Sequence, residues 1–394
     1  MTTTINKEQK NPNVPNLRFP EFEGEWKRTS LKDISTVNPK SASLEESFVY
    51  IDLEAVEKGI LKKQQTILRS EAPSRAQRVI MDGDILFQCV RPYQKNNYLH
   101  KGQNNDKTQW VASTGYAQIR TTESPSYLYH TLNTDGFNKK VMVRCTGSSY
   151  PAINSDDLST IHFYFSPQKE EQRKISQLFD LLDERIATQN KIIEDLKKLK
   201  CAIIETEYNG KGHEYRIGDI IDQVSQRNKR CLVNTVLSVN NKLGFINQDE
   251  QFEDRTVASE DTSNYKVVFK DDFAYNPARI NVGSIARLKS FDKGIVSPMY
   301  ICFKVTDGIV PEYLESYFAT NHFFKEMQKR LEGSVRLCLS FEGLCNIPIF
   351  VPCIDEQTEI GKRIYQLENK IKTECNILSL YEKQKQYLLR QMFI

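Results

Sequence analysis

Two polar segments follow short apolar runs at comparable places in the chain, and their side chains are of the kinds that reach nucleic acid. The first holds Arg91, Tyr93, Gln94, Lys95, Asn96 and Asn97; the second holds Arg279, Asn281 and Ser284. Arg, Lys, Asn, Gln and Ser can read base edges, and Arg, Lys and hydroxyls can hold phosphate oxygens. A second matched pair runs from a basic helix end into a Gly-Ser turn. It comprises Lys139, Lys140, Arg144, Ser148, Ser149 and Tyr150, against Lys329, Arg330, Ser334 and Arg336. The plainer readings are an ordinary surface turn for the first pair and a solvated helix face closed by a C-cap glycine for the second. Gln226-Arg227-Asn228-Lys229-Arg230 is also basic but has no counterpart in the first half. It suits phosphate or solvent better than base edges.

Independent chemistry is harder to find. Gly210-Lys211-Gly212 lacks the spacing and the following Ser/Thr of a phosphate-binding loop. Asn276-Pro277-Ala278-Arg279 is similar to the Asn-Pro-Pro-aromatic loop of adenine methyltransferases, but its third and fourth residues differ. Asp156-Asp157 and Asp271-Asp272 read as turns or caps rather than metal ligands. No catalytic, cofactor or metal site is therefore expected in this chain. Nine cysteines without a C-x-x-C pair argue against zinc and disulfides and fit a cytosolic protein. Met1 to Lys10 has no apolar leader, and no apolar run is long enough to span a membrane. The formal net charge is only +3, so any nucleic-acid affinity must come from local charge or from a partner.

These segments sit inside an internal duplication at a spacing near 185 residues. Leu31-Lys32-Asp33-Ile34 matches Ile217-Gly218-Asp219-Ile220, and Gly83-Asp84-Ile85-Leu86-Phe87 matches Asp271-Asp272-Phe273-Ala274-Tyr275. Arg91 then matches Arg279, Gly147-Ser148 matches Gly333-Ser334, and Pro167 to Gln172 matches Pro352 to Gln357. A heptad seam follows each half. The first is Ile175, Phe179, Leu182, Ile186, Gln189, Ile193, Leu196, Lys200 and Ile203; the second is Ile360, Ile364, Leu367, Ile371, Glu374, Leu378, Tyr381, Lys385 and Leu388. Both carry polar residues at the same two places, which suits register and pairing of the two helices with each other. The simpler alternative is two amphipathic helices, each packed on its own domain.

The expected architecture is α+β: two pseudo-symmetric globular domains, 1–165 and 210–350, separated by an antiparallel coiled coil of the helices in 166–209 and 351–394. The first helix should run from about Pro167 to Tyr208, with Ser166 as N-cap and a stop at Asn209-Gly210-Lys211-Gly212. Ile85 to Phe87, Tyr116 to Ile119, Val267 to Phe269 and Tyr300 to Val305 read as strands, and Tyr127 to Asn133 and Pro311 to Leu331 as helices. Antiparallel pairing would give a dumbbell with two unlike heads, suited to a site of two unlike half-sites.

Leu17-Arg18-Phe19-Pro20-Glu21-Phe22, then Gly24-Glu25-Trp26, resembles the start of specificity subunits of type I restriction-modification systems. The Gly83 run and the Pro-x-x-x-Glu-Gln helix starts at Pro167 and Pro352 resemble that family too, and the resemblance extends nearly end to end. It implies two target-recognition domains reading a bipartite site and two helices that dock modification subunits. S-adenosylmethionine would be bound on those methyltransferase partners. ATP and Mg would act on a motor-nuclease restriction subunit, and this chain would have no catalysis of its own. The outer helix faces, with Glu194, Lys197, Lys198, Lys370 and Lys372, are candidates for docking or simply wet. The competing functional reading is a duplicated protein-binding scaffold.

Overall fold

The computed structural model describes residues 13–102, 108–208, 210, 212–241, 243–248, 261–334 and 336–394. The polar stretch Met1 to Lys10, Asn209 and Lys211 of the helix-ending turn, and Val335 lie outside these residues. The chain forms two compact units: residues up to Asn190 with Ile377–Ile394, and Lys191–Asn376.

In unit 1, strands β1 (Lys27–Ser30) and β12 (His162–Phe165) pair antiparallel and close the domain. One four-stranded sheet has the order β6 (Gln65–Leu68), β3 (Ser47–Ile51), β10 (Trp110–Ser113), β7 (Ala76–Ile80). The other has the order β2 (Ser35–Val37), β11 (Tyr116–Thr121), β8 (Ile85–Gln88), β9 (Tyr98–Leu99). A small hairpin, β4 (Val56–Glu57) and β5 (Ile60–Leu61), is inserted between β3 and β6. Helices α1 (Leu31–Ile34), α2 (Pro125–Leu132), α3 (Asp135–Arg144) and α4 (Ser155–Ser159) accompany the second sheet.

Unit 2 repeats this plan. Strands β13 (His213–Arg216) and β22 (Pro348–Val351) close it. One sheet is β14 (Ile221–Val224), β21 (Ile301–Val305), β18 (Phe273–Tyr275), β19 (Ile285–Arg287). The other is β16 (Gly244–Asn247), β15 (Val236–Asn240), β20 (Lys293–Val296), β17 (Lys266–Phe269). A parallel pairing recurs as well, β3 with β10 and β15 with β20. Helices α6 (Ile217–Ile220), α7 (Pro311–Tyr317), α8 (Asn321–Gln328) and α9 (Phe341–Cys345) take the matching places. The architecture is α+β and duplicated.

The duplicated landmarks have structural causes. Asp33 accepts the Ser30 N–H at 2.9 Å and Asp219 the Arg216 N–H at 2.8 Å, so each caps a one-turn helix. Asp84 and Asp272 accept Met81 N–H and Phe269 N–H, both at 2.7 Å, and fix the turn before the central strand. Gln172 donates to Ser166 O, and Gln357 donates to Pro352 O. Their amide oxygens accept from Ser124 N–H and Val310 N–H, the N-cap residues of α2 and α7. Each glutamine thus ties the start of a long helix to its own domain. Glu171 is fully buried and binds Arg18 through both oxygens, with Trp26 Nε1 donating to it at 3.1 Å. This explains the Arg and Trp of the opening motif.

The long helices are α5 (Lys169–Glu207) and α10 (Ile354–Met392). Ser166 does not cap α5 as expected. Its hydroxyl accepts the Gln168 N–H and donates to Glu171, so the helix begins two residues past Pro167. Pro311 to Leu331 is not one helix either. Thr320 stops the first and caps the second, its hydroxyl accepting Phe323 N–H at 3.0 Å. All the seam residues are buried or half-buried. In unit 1, Lys385 pairs with Asp183, and Arg185 donates to the Tyr381 hydroxyl at 3.1 Å. In unit 2, Lys200 pairs with Glu368 at 2.5 Å and Arg363 with Glu207 at 3.0 Å. In both, partner numbers fall along α10 as they rise along α5, which makes the pairing antiparallel. Phe179 and Phe393 pack in the unit 1 core, and Ile204, Ile360 and Ile364 in that of unit 2. Among the described residues no helix is long and apolar enough to cross a membrane.

Candidate nucleic-acid interface

In each unit the two predicted polar segments meet at one end of the sheets. In unit 1, Arg91 N–H donates to Pro151 O at 2.8 Å and Ile153 N–H to Cys89 O at 3.0 Å. In unit 2, Leu339 N–H donates to Pro277 O at 3.1 Å, and the Tyr275 hydroxyl to Leu339 O at 3.3 Å. The Gly-Ser turns are the same device in both. Thr146 and Ala152 exchange two backbone bonds of 2.9 Å; Glu332 and Cys338 exchange bonds of 2.9 and 2.8 Å. Gly147 and Gly333 adopt φ of 88° and 118° inside these loops, and a Cβ at Gly333 would lie 2.3 Å from Arg336 O. Glycine is required there.

The side chains of the predicted set divide by where they point. Arg91 lies over the Tyr150 ring, 4.4 Å from its centroid. Tyr150, Tyr93, Ser148, Ser149 and Lys139 are exposed. The rest of the segment is tied inward. Gln88 donates to Gln94 Oε1 at 2.9 Å and accepts from Asn96 N–H. Asn97 is buried, accepting Gln88 N–H at 2.8 Å and donating to Asn133 at 3.0 Å. Lys95 bonds Asn133 O and pairs with Asp135 at 2.7 Å. Gln94 and Lys95 line a cleft of about 600 Å3 with Asp135, Asp183 and Lys385. Lys140 donates to His162 O, and burial lowers its pKa ahead of the field of Arg28. Arg144 ties α3 to α4 through Asp157 O and Thr160 Oγ1. Lys140 and Arg144 are therefore directed away from the loop tip.

In unit 2, Arg279, Asn281, Ser334 and Arg336 are exposed, with Val282 and Leu337 half-exposed among them. Ser284 is buried and donates to Val239 O at 3.1 Å. Lys329 and Arg330 both pair with Glu326, at 2.5 and 2.7 Å. In the basic stretch after β14, Asn228 is buried against Val233, Arg227 bonds Asn264 O, and Lys229 and Arg230 are exposed.

A third segment joins each face and was not anticipated. The connection from β3 to β6 reaches the first polar loop through Lys58 N–H on Asn96 Oδ1, at 2.9 Å. The equivalent turn from β15 to β16 does so through Asn241 Nδ2 on Val282 O, at 3.2 Å. Its signal was present only as a turn, Lys58-Gly59, with positive φ at both residues. Each unit thus presents three loops from a common framework, with different residues at the tips. Such a surface presents exposed hydrogen-bond donors and cations. Among the described residues no cluster of His, Cys, Asp and Glu could hold a metal.

The family model for the type I restriction modification DNA specificity domain matches residues 23–198 and again 211–380. A curated relative, the HindI type I restriction enzyme specificity subunit of Haemophilus influenzae, is 24% identical over 189 residues. That match covers 46% of this chain and 40% of the relative. The crystal structure of a type I restriction-modification S subunit from M. genitalium aligns with a TM-score of 0.57 at 15% identity, covering 97% of this chain and 99% of that one. A chain from a structure describing complex assembly and conformational transition of the type I R-M system aligns with a TM-score of 0.55 at 19% identity, covering 92% and 96%. With two consecutive matches that together span most of its length, the chain belongs to the type I restriction-modification DNA specificity family, whose members are not catalytic by themselves.

Proposed function

We propose that this chain reads a bipartite, asymmetric DNA site for a type I restriction-modification complex. The domains in 1–165 and 210–350 each read one block. The helices in 166–209 and 351–394 hold the spacing and dock two modification subunits, and through them the restriction subunits. S-adenosylmethionine, ATP and Mg act on those partners, in the cytoplasm, while this chain contributes positioning and specificity. One observation carries the reading: two copies of one framework present the same three loops with unlike tips. A common scaffold with divergent loop tips is what two different sequence blocks require.

The test is selection from a randomised duplex pool by the chain co-expressed with its modification subunit, at two salt concentrations. Two fixed blocks around a gap of constant length are expected. A single continuous block would mean that one domain reads DNA. Failure to retain duplex at either salt would favour a protein-binding scaffold.

A further inference from the structure

Each of the three loops that meet on unit 2 carries one exposed aliphatic side chain: Leu243 at 73%, Val282 at 56% and Leu337 at 48% exposure. Hydrogen bonds tie these loops to one another. Asn241 Nδ2, in the turn that holds Leu243, donates to Val282 O at 3.2 Å. Leu339 N–H, two residues past Leu337, donates to Pro277 O at 3.1 Å, two residues before Arg279. The first two loops also touch, since a Cβ at Gly283 would lie 3.7 Å from that of Asn241. Arg279 and Arg336 are exposed on the same loops and pair with no described carboxylate, whereas Lys329 and Arg330 are held by Glu326. A lone exposed aliphatic residue is ordinary, but one on each of three adjoining tips forms a surface whose burial in a complex is favourable. The matching loops of unit 1 differ: they expose Lys58, Tyr93 and Tyr150.

We infer that Leu243, Val282 and Leu337 are specificity-determining residues of unit 2, which read thymine through the 5-methyl group it presents in the major groove. On the base edges of that groove the methyl is the one apolar group; the carbonyls, ring nitrogens and amines call for donors and acceptors of the kind Arg279, Asn281 and Ser334 supply. Cytosine carries only hydrogen at the same carbon. An aliphatic side chain seated on the methyl therefore separates T·A from C·G by the apolar area it buries. The inference rests on the reading of unit 2 as a DNA-recognition domain, and adds which chemical group of its block is read. It also distinguishes the units, because the tips of unit 1 carry tyrosines and a lysine in place of the aliphatic set.

The experiment uses the full chain co-expressed with the modification subunit, on the duplex recovered by selection. Each thymine of the recovered motif is replaced in turn by deoxyuridine, which pairs identically but lacks the methyl. In the block that Arg279→Ala blurs, at least one replacement is expected to weaken wild-type binding about fourfold. Leu243→Ala, Val282→Ala and Leu337→Ala are then measured on the thymine and deoxyuridine duplexes. The variant whose side chain meets the methyl should bind the thymine duplex about fourfold more weakly than wild type, and should not distinguish the two duplexes. Its melting temperature should be unchanged, since the three side chains lie outside the cores. A block without T·A pairs, or a wild type indifferent to deoxyuridine throughout that block, would overturn the inference. So would alanine variants that lose affinity equally on both duplexes while still preferring thymine, as a wedge between base steps would, or that instead release the modification subunit, as a protein-docking patch would. Recovery of no motif at all would remove the reading of unit 2 itself, and the inference with it.

Discussion

Tyr150 supports the half-buried Arg91 guanidinium from another loop and is itself exposed. Removing the ring frees a long side chain whose ordering must then be supplied on binding. Tyr150→Ala should weaken duplex binding several-fold while Tyr150→Phe keeps it, measured by anisotropy; equal loss in both would assign the role to the hydroxyl. Other residues of the same segments looked equivalent in sequence and are not. An asparagine that donates to DNA and one that clamps a loop, as Asn97 does, have identical letters, and only burial separates them. His130 is a residue that sequence gives no reason to notice. It is buried on α2, against the Phe179 ring, with Nε2 3.5 Å from Asp180. Burial lowers its pKa more than Asp180 and Asp183 raise it, and Lys385 lowers it further. Burial also opposes the charge of Asp180, but His130, the Ser126 hydroxyl and Lys101 outweigh it and hold that carboxyl at about 2. The folded histidine binds its proton less readily than the unfolded one, so its contribution is complete above its ordinary pKa and is lost as pH falls below about 6.5. The Asp180 contribution follows the same sign but is lost only below about pH 4. Urea midpoints should therefore drop between about pH 7.5 and about pH 5, and His130→Gln should flatten that decline; an unchanged slope would remove His130 as its source.

At the scale of elements, the long helices were legible because a heptad period sustained over several turns is produced by paired helices and by little else. The start of the first was misplaced by two residues because Ser166 bonds Glu171 and Gln168 rather than serving as N-cap. The strands Ile85–Gln88 and Lys266–Phe269 were recognisable as apolar runs, whereas short pairs such as Val56–Glu57 with Ile60–Leu61 carried no periodicity. Two of the four polar seam positions, Lys200 and Lys385, proved to make one ion pair used twice. Asp183 with Lys385 and Lys200 with Glu368 are the same acid and lysine positions of the repeat, exchanged between α5 and α10. Both pairs are partly exposed, so each contributes about 1 kcal/mol and matters more for register than for stability. Lys385→Glu, which sets two carboxylates together, should lower the denaturant midpoint of unit 1. Adding Asp183→Lys should restore most of it. A double variant no better than the single would show that the pair does not fix the pairing.

For the whole molecule, the decisive fact is how little net charge it carries and where the free charge lies. Lys and Arg exceed Asp and Glu by three, 54 against 51, and much of the positive charge is internally consumed, as at Arg287, Arg120, Lys95 and Arg330. A surface of this kind has weak sequence-independent attraction for phosphate, so in the proposed reading discrimination comes from a few loop-tip contacts in each unit. Those contacts belong to two copies of one framework that fold around separate cores. Substitutions in one copy should then alter only what that copy reads. In the selection from randomised duplex, Arg91→Ala with Tyr150→Ala should blur one block of the recovered motif and leave the other and the gap unchanged. Arg279→Ala with Arg336→Ala should blur the other block alone. Each pair should also reduce the salt slope by no more than about 2, because at most two cations are removed from phosphate. If either pair degraded both blocks, the two units would not be independent readers, and the repeat would have to be understood as one composite surface.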